Sequence, residues 1–196
     1  MIQSINMFNE DWYNDIQCSH LIQLFKTLPP MEASIIEIGC WEGKSTFNLA
    51  NACYPENLIC NDTWMGNINE SIITGKKHIT CSILENRNVF NSFVNNMNSL
   101  TRGNYQIVKK DCIEWLKEFN RPIKFIHIDA SHDYESVAQT IRLAIPNMVS
   151  GGIMCGDDFL NANISREDLH GGVQRAVTEL LPQYRNIDNL WFWYKP

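Results

Sequence analysis

Acidic residues recur at one kind of place along this chain: directly after short runs of aliphatic and β-branched residues. Glu37 lies in I-I-E-I just before Gly39, Asp62 follows L-I-C-N, Asp111 follows Y-Q-I-V-K-K, Asp129 follows I-K-F-I-H-I, and the pair Asp157-Asp158 follows G-I-M-C-G. If those runs are parallel strands, their carboxyl ends share one edge of a sheet, which is where open α/β sheets bind ligands. Carboxylates gathered on one rim repel a polyphosphate and suit a ligand with hydroxyls and a positive centre. Turn formation and helix capping account for part of the pattern, Asp111 before I-E-W-L above all. They account poorly for all the strand ends together.

Asp129, Asp157 and Asp158 end two neighbouring strand candidates, one βαβ crossover apart, so three carboxylates can converge on a single hard cation. Mg²⁺ suits such a set, or Ca²⁺ in a looser one; the metal-free alternative makes Asp157 and Asp158 turn and cap residues. His132 lies three residues beyond Asp129 in the loop at the same edge, and an imidazole can take a proton near neutral pH. It is the candidate general base, with Asp133 in reserve and a loop-bracing role as the alternative. His127 falls inside a strand and is expected in the core or beneath the site, and His170 is expected to lead into the last helix.

The elements that must position these groups alternate. Leu21, Leu24, Phe25 and Leu28 repeat at helical spacing and predict a first helix that Pro29-Pro30 stops. Five strands are expected at 34–38, 57–60, 105–108, 123–128 and 152–155, with a final strand within 189–196. Helical patterns run from Ser45 to Cys53, from Val89 to Leu100, from Asp111 to Phe119, and through Val137/Ile141/Ala144 and Val173/Ala176/Val177/Leu180. Strands alternating with helices of this length predict an α/β fold, a doubly wound, mostly parallel Rossmann-like sheet with an antiparallel C-terminal strand. A helical segment over 1–33 precedes the main domain at 34–196. The stretch from Trp64 to Glu85 carries no clean period and reads as a long irregular lid or binding loop.

The loop G-C-W-E-G-K-S, Gly39 to Ser45, ends like a phosphate loop but has three residues between its glycines where four are needed. A G-x-G-x-x-G dinucleotide fingerprint is absent as well. Glu37-x-Gly39-x-Trp41-x-Gly43 resembles motif I of the class I S-adenosylmethionine-dependent methyltransferases, with Trp41 in place of the usual central glycine. N-D-T-W-M-G-N (61–67), K-K-D-C-I-E-W-L (109–116), F-I-H-I-D-A-S-H-D-Y-E-S-V (125–137), G-G-I-M-C-G-D-D-F (151–159) and G-G-V-Q-R-A-V-T-E-L-L (171–181) extend the likeness in order. Together they resemble the small O-methyltransferase branch related to macrocin O-methyltransferases and cephalosporin-hydroxylase-like proteins.

That resemblance implies a cofactor site. Glu37, Gly39 and Gly43 would line the methionine part of S-adenosylmethionine, Ser45 would also belong to the cofactor site, and Asp62 would accept the ribose hydroxyls. Asp111 would face the adenine amino group with the Cys112 backbone N–H near the ring, Trp64 would pack on the nucleoside, and Asp129 would stand beside the cofactor. It implies Mg²⁺ at Asp129, Asp157 and Asp158, since their separation matches the ligands of divalent-metal O-methyltransferases such as catechol O-methyltransferase. Two departures matter. Trp41 either turns into packing or shifts the cofactor, and Ser131 stands where the macrocin-type branch carries a further Asp.

Composition sets the remaining bounds. A net charge of −6 with scattered Lys and Arg argues against nucleic acid as a partner. Seven Cys without metal-ligand spacing, and no long apolar run, lead to the expectation of a reducing, cytoplasmic setting away from membranes. The expected partners are a small acceptor bearing a hydroxyl, a sugar or a phenolic compound, and a second copy of the chain in a homodimer. Two rival functions stay open: a nicotinamide-dependent oxidoreductase on a similar sheet, and a non-catalytic protein that keeps the cofactor fold.

Overall fold

The computed structural model describes residues 7–10, 12–159 and 171–196. Its strands are β1 (Ser34–Ile38), β2 (Leu58–Asp62), β3 (Tyr105–Lys109), β4 (Ile123–Ile128), β5 (Met148–Gly156), β6 (Arg185–Ile187) and β7 (Leu190–Tyr194). They form one sheet in the order β3-β2-β1-β4-β5-β7-β6. The first five are parallel, and β7 runs antiparallel to β5. The chain order reverses between β1 and β4, and that switch point opens a crevice at the carboxyl ends of the strands.

Strand periodicity divides the core in two. Ile35, Leu58, Phe125 and Ile153 pack on one face with Leu21, Leu49 and Phe93, and Ile36, Ile126, Met154 and Trp191 pack on the other with Leu116, Ile141 and Ala176. The first face is covered by α1 (Asp15–Phe25), α2 (Lys44–Cys53) and α5 (Val89–Leu100), the second by α6 (Cys112–Glu118), α7 (Tyr134–Ala144) and α8 (Gly171–Leu180). Strands buried on both faces need near-continuous apolar runs, which is why β4 reads I-K-F-I-H-I with all six residues buried.

Three expectations change. β5 begins at Met148, four residues earlier than expected, because the sequence at its start alternates weakly and carries Gly151 and Gly152. The terminal strand is one arm of a hairpin whose other arm, β6, has three exposed residues and no apolar pattern. The segment from Trp64 to Glu85 is not irregular: it holds α3 (Ile68–Thr74) and α4 (Ile79–Leu84). In α3 the one buried residue is Glu70, while Ile68, Ile72 and Ile73 are exposed, so the usual apolar stripe is missing. Among the described residues no helix is long and apolar enough to cross a membrane.

Candidate active site

A cavity of about 700 Å³ lies over the carboxyl ends of the five parallel strands. In sheet order its wall carries Asp111 after β3, Asp62 at the end of β2, Gly39 after β1, Asp129 after β4 and Asp157-Asp158 after β5. The acids that follow the strands after the first therefore meet in one space, together with Cys112 and His132.

On the β1–β2 side the geometry comes from backbone amides. Asp62 Oδ2 accepts from the N–H groups of Cys40 and Trp41, both at 2.9 Å, and its Oδ1 accepts from Trp64 N–H at 2.6 Å. Burial raises the Asp62 pKa above the ordinary carboxylate value despite these three donors. Gly39 has φ +87°, and a Cβ there would stand 1.7 Å from the Asp129 carbonyl oxygen. Its bare Cα thus lets β1 close onto the end of β4, a reason different from the close approach to ligand expected of it. Asp111 caps α6, with Oδ1 accepting from Ile113 and Glu114 N–H at 3.0 Å; it caps a helix and also lines the cavity.

Four expected cofactor residues face elsewhere. Glu37 is fully buried beneath the cavity, with Oε1 3.0 Å from His127 Nδ1, so His127 is the buried residue below the site that its strand position implied. Gly43, at φ +90°, starts α2 and packs against Phe93 and Met97. Ser45 is buried on α2 and outside the cavity wall. Trp64 is 5% exposed, wedged between Phe90 and Phe93, with Nε1 donating to the Trp41 carbonyl at 2.8 Å. It is a core aromatic and packs on no part of the cavity.

Trp41 takes φ +46°, its amide turned to Asp62. Its ring packs at a 35° tilt against Trp12, centroids 5.5 Å apart, and its Nε1 donates to Glu10 at 3.0 Å. Trp41 also lines the cavity, so its bulk at the glycine position forms part of the wall while its amide serves Asp62.

The β4–β5 side is built from charge. Burial first, then the neighbouring charges of Asp157 and Asp158, push the Asp129 carboxyl up to about 8. Asp158 takes φ +61°, a conformation Asp adopts more readily than most residues, and its Oδ2 lies 2.8 Å from His132 Nε2. Ligand atoms of Asp129, His132 and Asp158 lie within 4.8 Å of one another. Asp157 stands apart from that trio: its Oδ2 accepts from Gln17 at 2.6 Å, and its buried Oδ1 has no partner among the described residues.

His132 does not match the expected base. Burial opposes its charge, but Asp158 on Nε2 and Glu70 on Nδ1, at 3.0 Å, outweigh that and hold its pKa at about 10. It already carries its proton at neutral pH and has none of the capacity a base requires. Asp133, the reserve, caps α7 through Ser136 N–H at 3.0 Å. His170 lies outside the described residues, as does the segment 161–170.

Three residues escaped the sequence reading. Gln17 occupies the buried stripe of α1 one turn before Leu21, so a polar residue at an apolar position was a readable sign. Trp12 lines the cavity from the N-terminal segment, whose Asn9 and Glu10 are held by Glu42 and Arg87. Glu70 gave no sign, for the reason stated for α3.

The chain belongs to the methyltransferase-domain family, whose sequence model matches residues 36–159. Its fold is that of the class I S-adenosylmethionine-dependent methyltransferases, and the protein is an enzyme of that class. Among solved structures it is similar to the O-methyltransferase NovP, at 14% identity and TM-score 0.64 over 91% of this chain and 79% of that one. It is also similar to CalS11, a TDP-rhamnose 3'-O-methyltransferase of calicheamicin biosynthesis, at 15% identity and TM-score 0.59 over 92% and 80%. The S-adenosylhomocysteine-bound methyltransferase PaMTH1 of Podospora anserina matches at 12% identity and TM-score 0.63 over 92% and 79%. No curated protein matches the sequence closely enough to count as a relative.

Proposed function

We propose that this enzyme moves a methyl group from S-adenosylmethionine to a hydroxyl of a small molecule, a sugar or a phenol, with a divalent metal ion assisting. One observation carries the reading: a single cavity joins Asp62 and Asp111 to Asp129, Asp157 and Asp158. The first pair offers carboxylates at the β2 and β3 edges where a nucleoside's ribose and base are read. The second group supplies concentrated negative charge beside the place where a sulfonium would lie.

The carboxylate cluster fits a cation. Burial and the neighbouring charges of Asp157 and Asp158 raise the proton affinity of Asp129, burial and Asp158 raise that of Asp157, and the buried Oδ1 of Asp157 has no partner among the described residues. These three residues would hold Mg²⁺, which when bound lowers the pKa of a coordinated hydroxyl. The chain's own part is alignment and proton handling. Fixing donor and acceptor in line is worth about 7 to 11 kcal/mol of barrier. Asp129, pushed up to about 8 while no cation is bound, takes the acceptor's proton only in its ionised form, which a bound cation would favour. His132, charged while no metal is on its ring, fixes Asp158 through Nε2.

Titration calorimetry with S-adenosylhomocysteine tests the cofactor half. Binding is expected in the unaltered chain and weakened on the order of a hundredfold in Asp62→Ala, which removes charge-assisted hydrogen bonds. No binding at millimolar cofactor overturns the reading. Turnover of a catechol or sugar acceptor that a chelator leaves untouched removes the metal from it.

A further inference from the structure

The segment between β2 and α5 buries one charged side chain, and that choice needs a reason. Glu70 is 1% exposed although three isoleucines of α3 face solvent. A carboxylate taken out of water at the expense of available apolar side chains is costly unless it is bound by cations. Its two oxygens meet two histidines from different places in the chain. Oε1 lies 3.0 Å from His132 Nδ1, and Oε2 lies 3.4 Å from His78 Nε2. Ligand atoms of the three side chains all fall within 4.8 Å of one another.

The far nitrogen of each ring is also engaged. His132 Nε2 faces Asp158 Oδ2 at 2.8 Å, and His78 Nδ1, 2.8 Å from Thr80 Oγ1, accepts from the Thr80 backbone N–H at 3.3 Å, so the ring is held in place as the cap of α4. Metal-bound histidines characteristically hand their second N–H to a carboxylate or another oxygen, which aims the first nitrogen, and the Asp158 contact gives His132 that backing. Glu70 is steadied in turn by Asn67 Nδ2 at 3.2 Å and by the His132 backbone N–H at 2.7 Å. Both histidines line the cavity, whereas Glu70 lies behind them. A tripod of two imidazoles and a carboxylate, open toward a cavity, is the donor set of a borderline transition ion with one exchangeable position.

We infer that Glu70, His78 and His132 form a transition-metal site, with Zn²⁺ as its preferred ion, which pins the α3–α4 segment to the loop after β4. The site is separate from the Asp129, Asp157 and Asp158 cluster and does not depend on the methyl-transfer reading. The hard-cation cluster wants oxygen ligands, and this one offers two nitrogens. The two sites share only the His132 ring, one nitrogen facing each.

The test uses the full chain stripped of metal with a chelator. Zn²⁺ titrated calorimetrically is expected to bind one ion per chain, and Co²⁺ in its place is expected to give visible absorption of a four- or five-coordinate centre. Both signals should weaken at least about a hundredfold in His78→Ala and in Glu70→Gln. Asp157→Asn should leave them unchanged. Circular dichroism of each variant separates lost binding from lost fold, and His78→Gln serves where alanine unfolds the segment. Absence of stoichiometric Zn²⁺ binding, or binding abolished by Asp157→Asn and retained in His78→Ala, overturns the inference. Either result leaves the calorimetry with S-adenosylhomocysteine unaffected, so the two readings fail separately.

Discussion

The two sides of the cavity hold their acids by different means. At the end of β2, Asp62 is fixed by three backbone amides, donors that do not themselves titrate. At the ends of β4 and β5, Asp129 and Asp158 gather about His132 with Asp157 beside them, and the organising partners are side chains: the ionisable His132 and Glu70, and the neutral amide of Gln17 on Asp157. The amide-held side is shaped before any ligand arrives. The charge-held side is poised, because its carboxylates repel until a proton or a cation intervenes.

The contrast can be broken at its seam. Gly39→Ala should do most damage, since the added Cβ meets a backbone oxygen that has nowhere to go. A loss of about 4 kcal/mol or more is expected in urea unfolding, against about 1 to 2 kcal/mol for Gly43→Ala, whose neighbours are the side-chain ends of Phe93 and Met97. Equal losses would show that the β1–β4 contact is not what Gly39 serves. Asp129→Asn comes next: kcat should fall on the order of 10²- to 10⁴-fold, while calorimetric affinity for S-adenosylhomocysteine changes little. A parallel loss of both would mean that the two sides are not independent.

The pH response sharpens the same contrast. His132 has a folded pKa above its free value, so the stability it lends is complete below about 6.5 and lost as pH climbs through about 10. Asp129, also raised, adds a loss between about 4 and 8, because its charged form is disfavoured in the fold. Melting temperature of the metal-free chain should therefore fall steadily from pH 6 to pH 9, and Mg²⁺ should flatten the slope. A melting curve that ignores pH would sink the charge-held description. The smallest change is expected for Trp41→Phe, which drops the hydrogen bond to Glu10 and keeps the packing against Trp12. About 1 kcal/mol of stability should go, with cofactor affinity intact.

Much of this was legible in the residues. The parallel strands, the crossover helices and the meeting of Asp62, Asp111, Asp129 and Asp157-Asp158 follow from apolar runs that end in acids. What stayed hidden depended on side-chain direction. Nothing in E-I-G-C says that Glu37 points down to His127 and not up into the cavity, because a residue one position earlier on a strand faces the opposite side of the sheet. Trp64 follows Asp62 closely in sequence, yet the left-handed turn at φ +52° throws its ring into the core. The role of His132 could not be read because its partner Glu70 sits on a helix with inverted polarity, sixty-two positions away.

The N-terminal segment changes what counts as the unit of this enzyme. The family match starts at Ile36, and every strand lies beyond Pro30. Yet Trp12 lines the cavity, Gln17 restrains Asp157, and Asn9 and Glu10 hold Glu42, Arg87 and Trp41. A chimera joined at the start of the sheet would inherit the complete scaffold and a cavity with one wall missing. Residues outside the shared domain therefore shape the cavity wall while the sheet stays fixed.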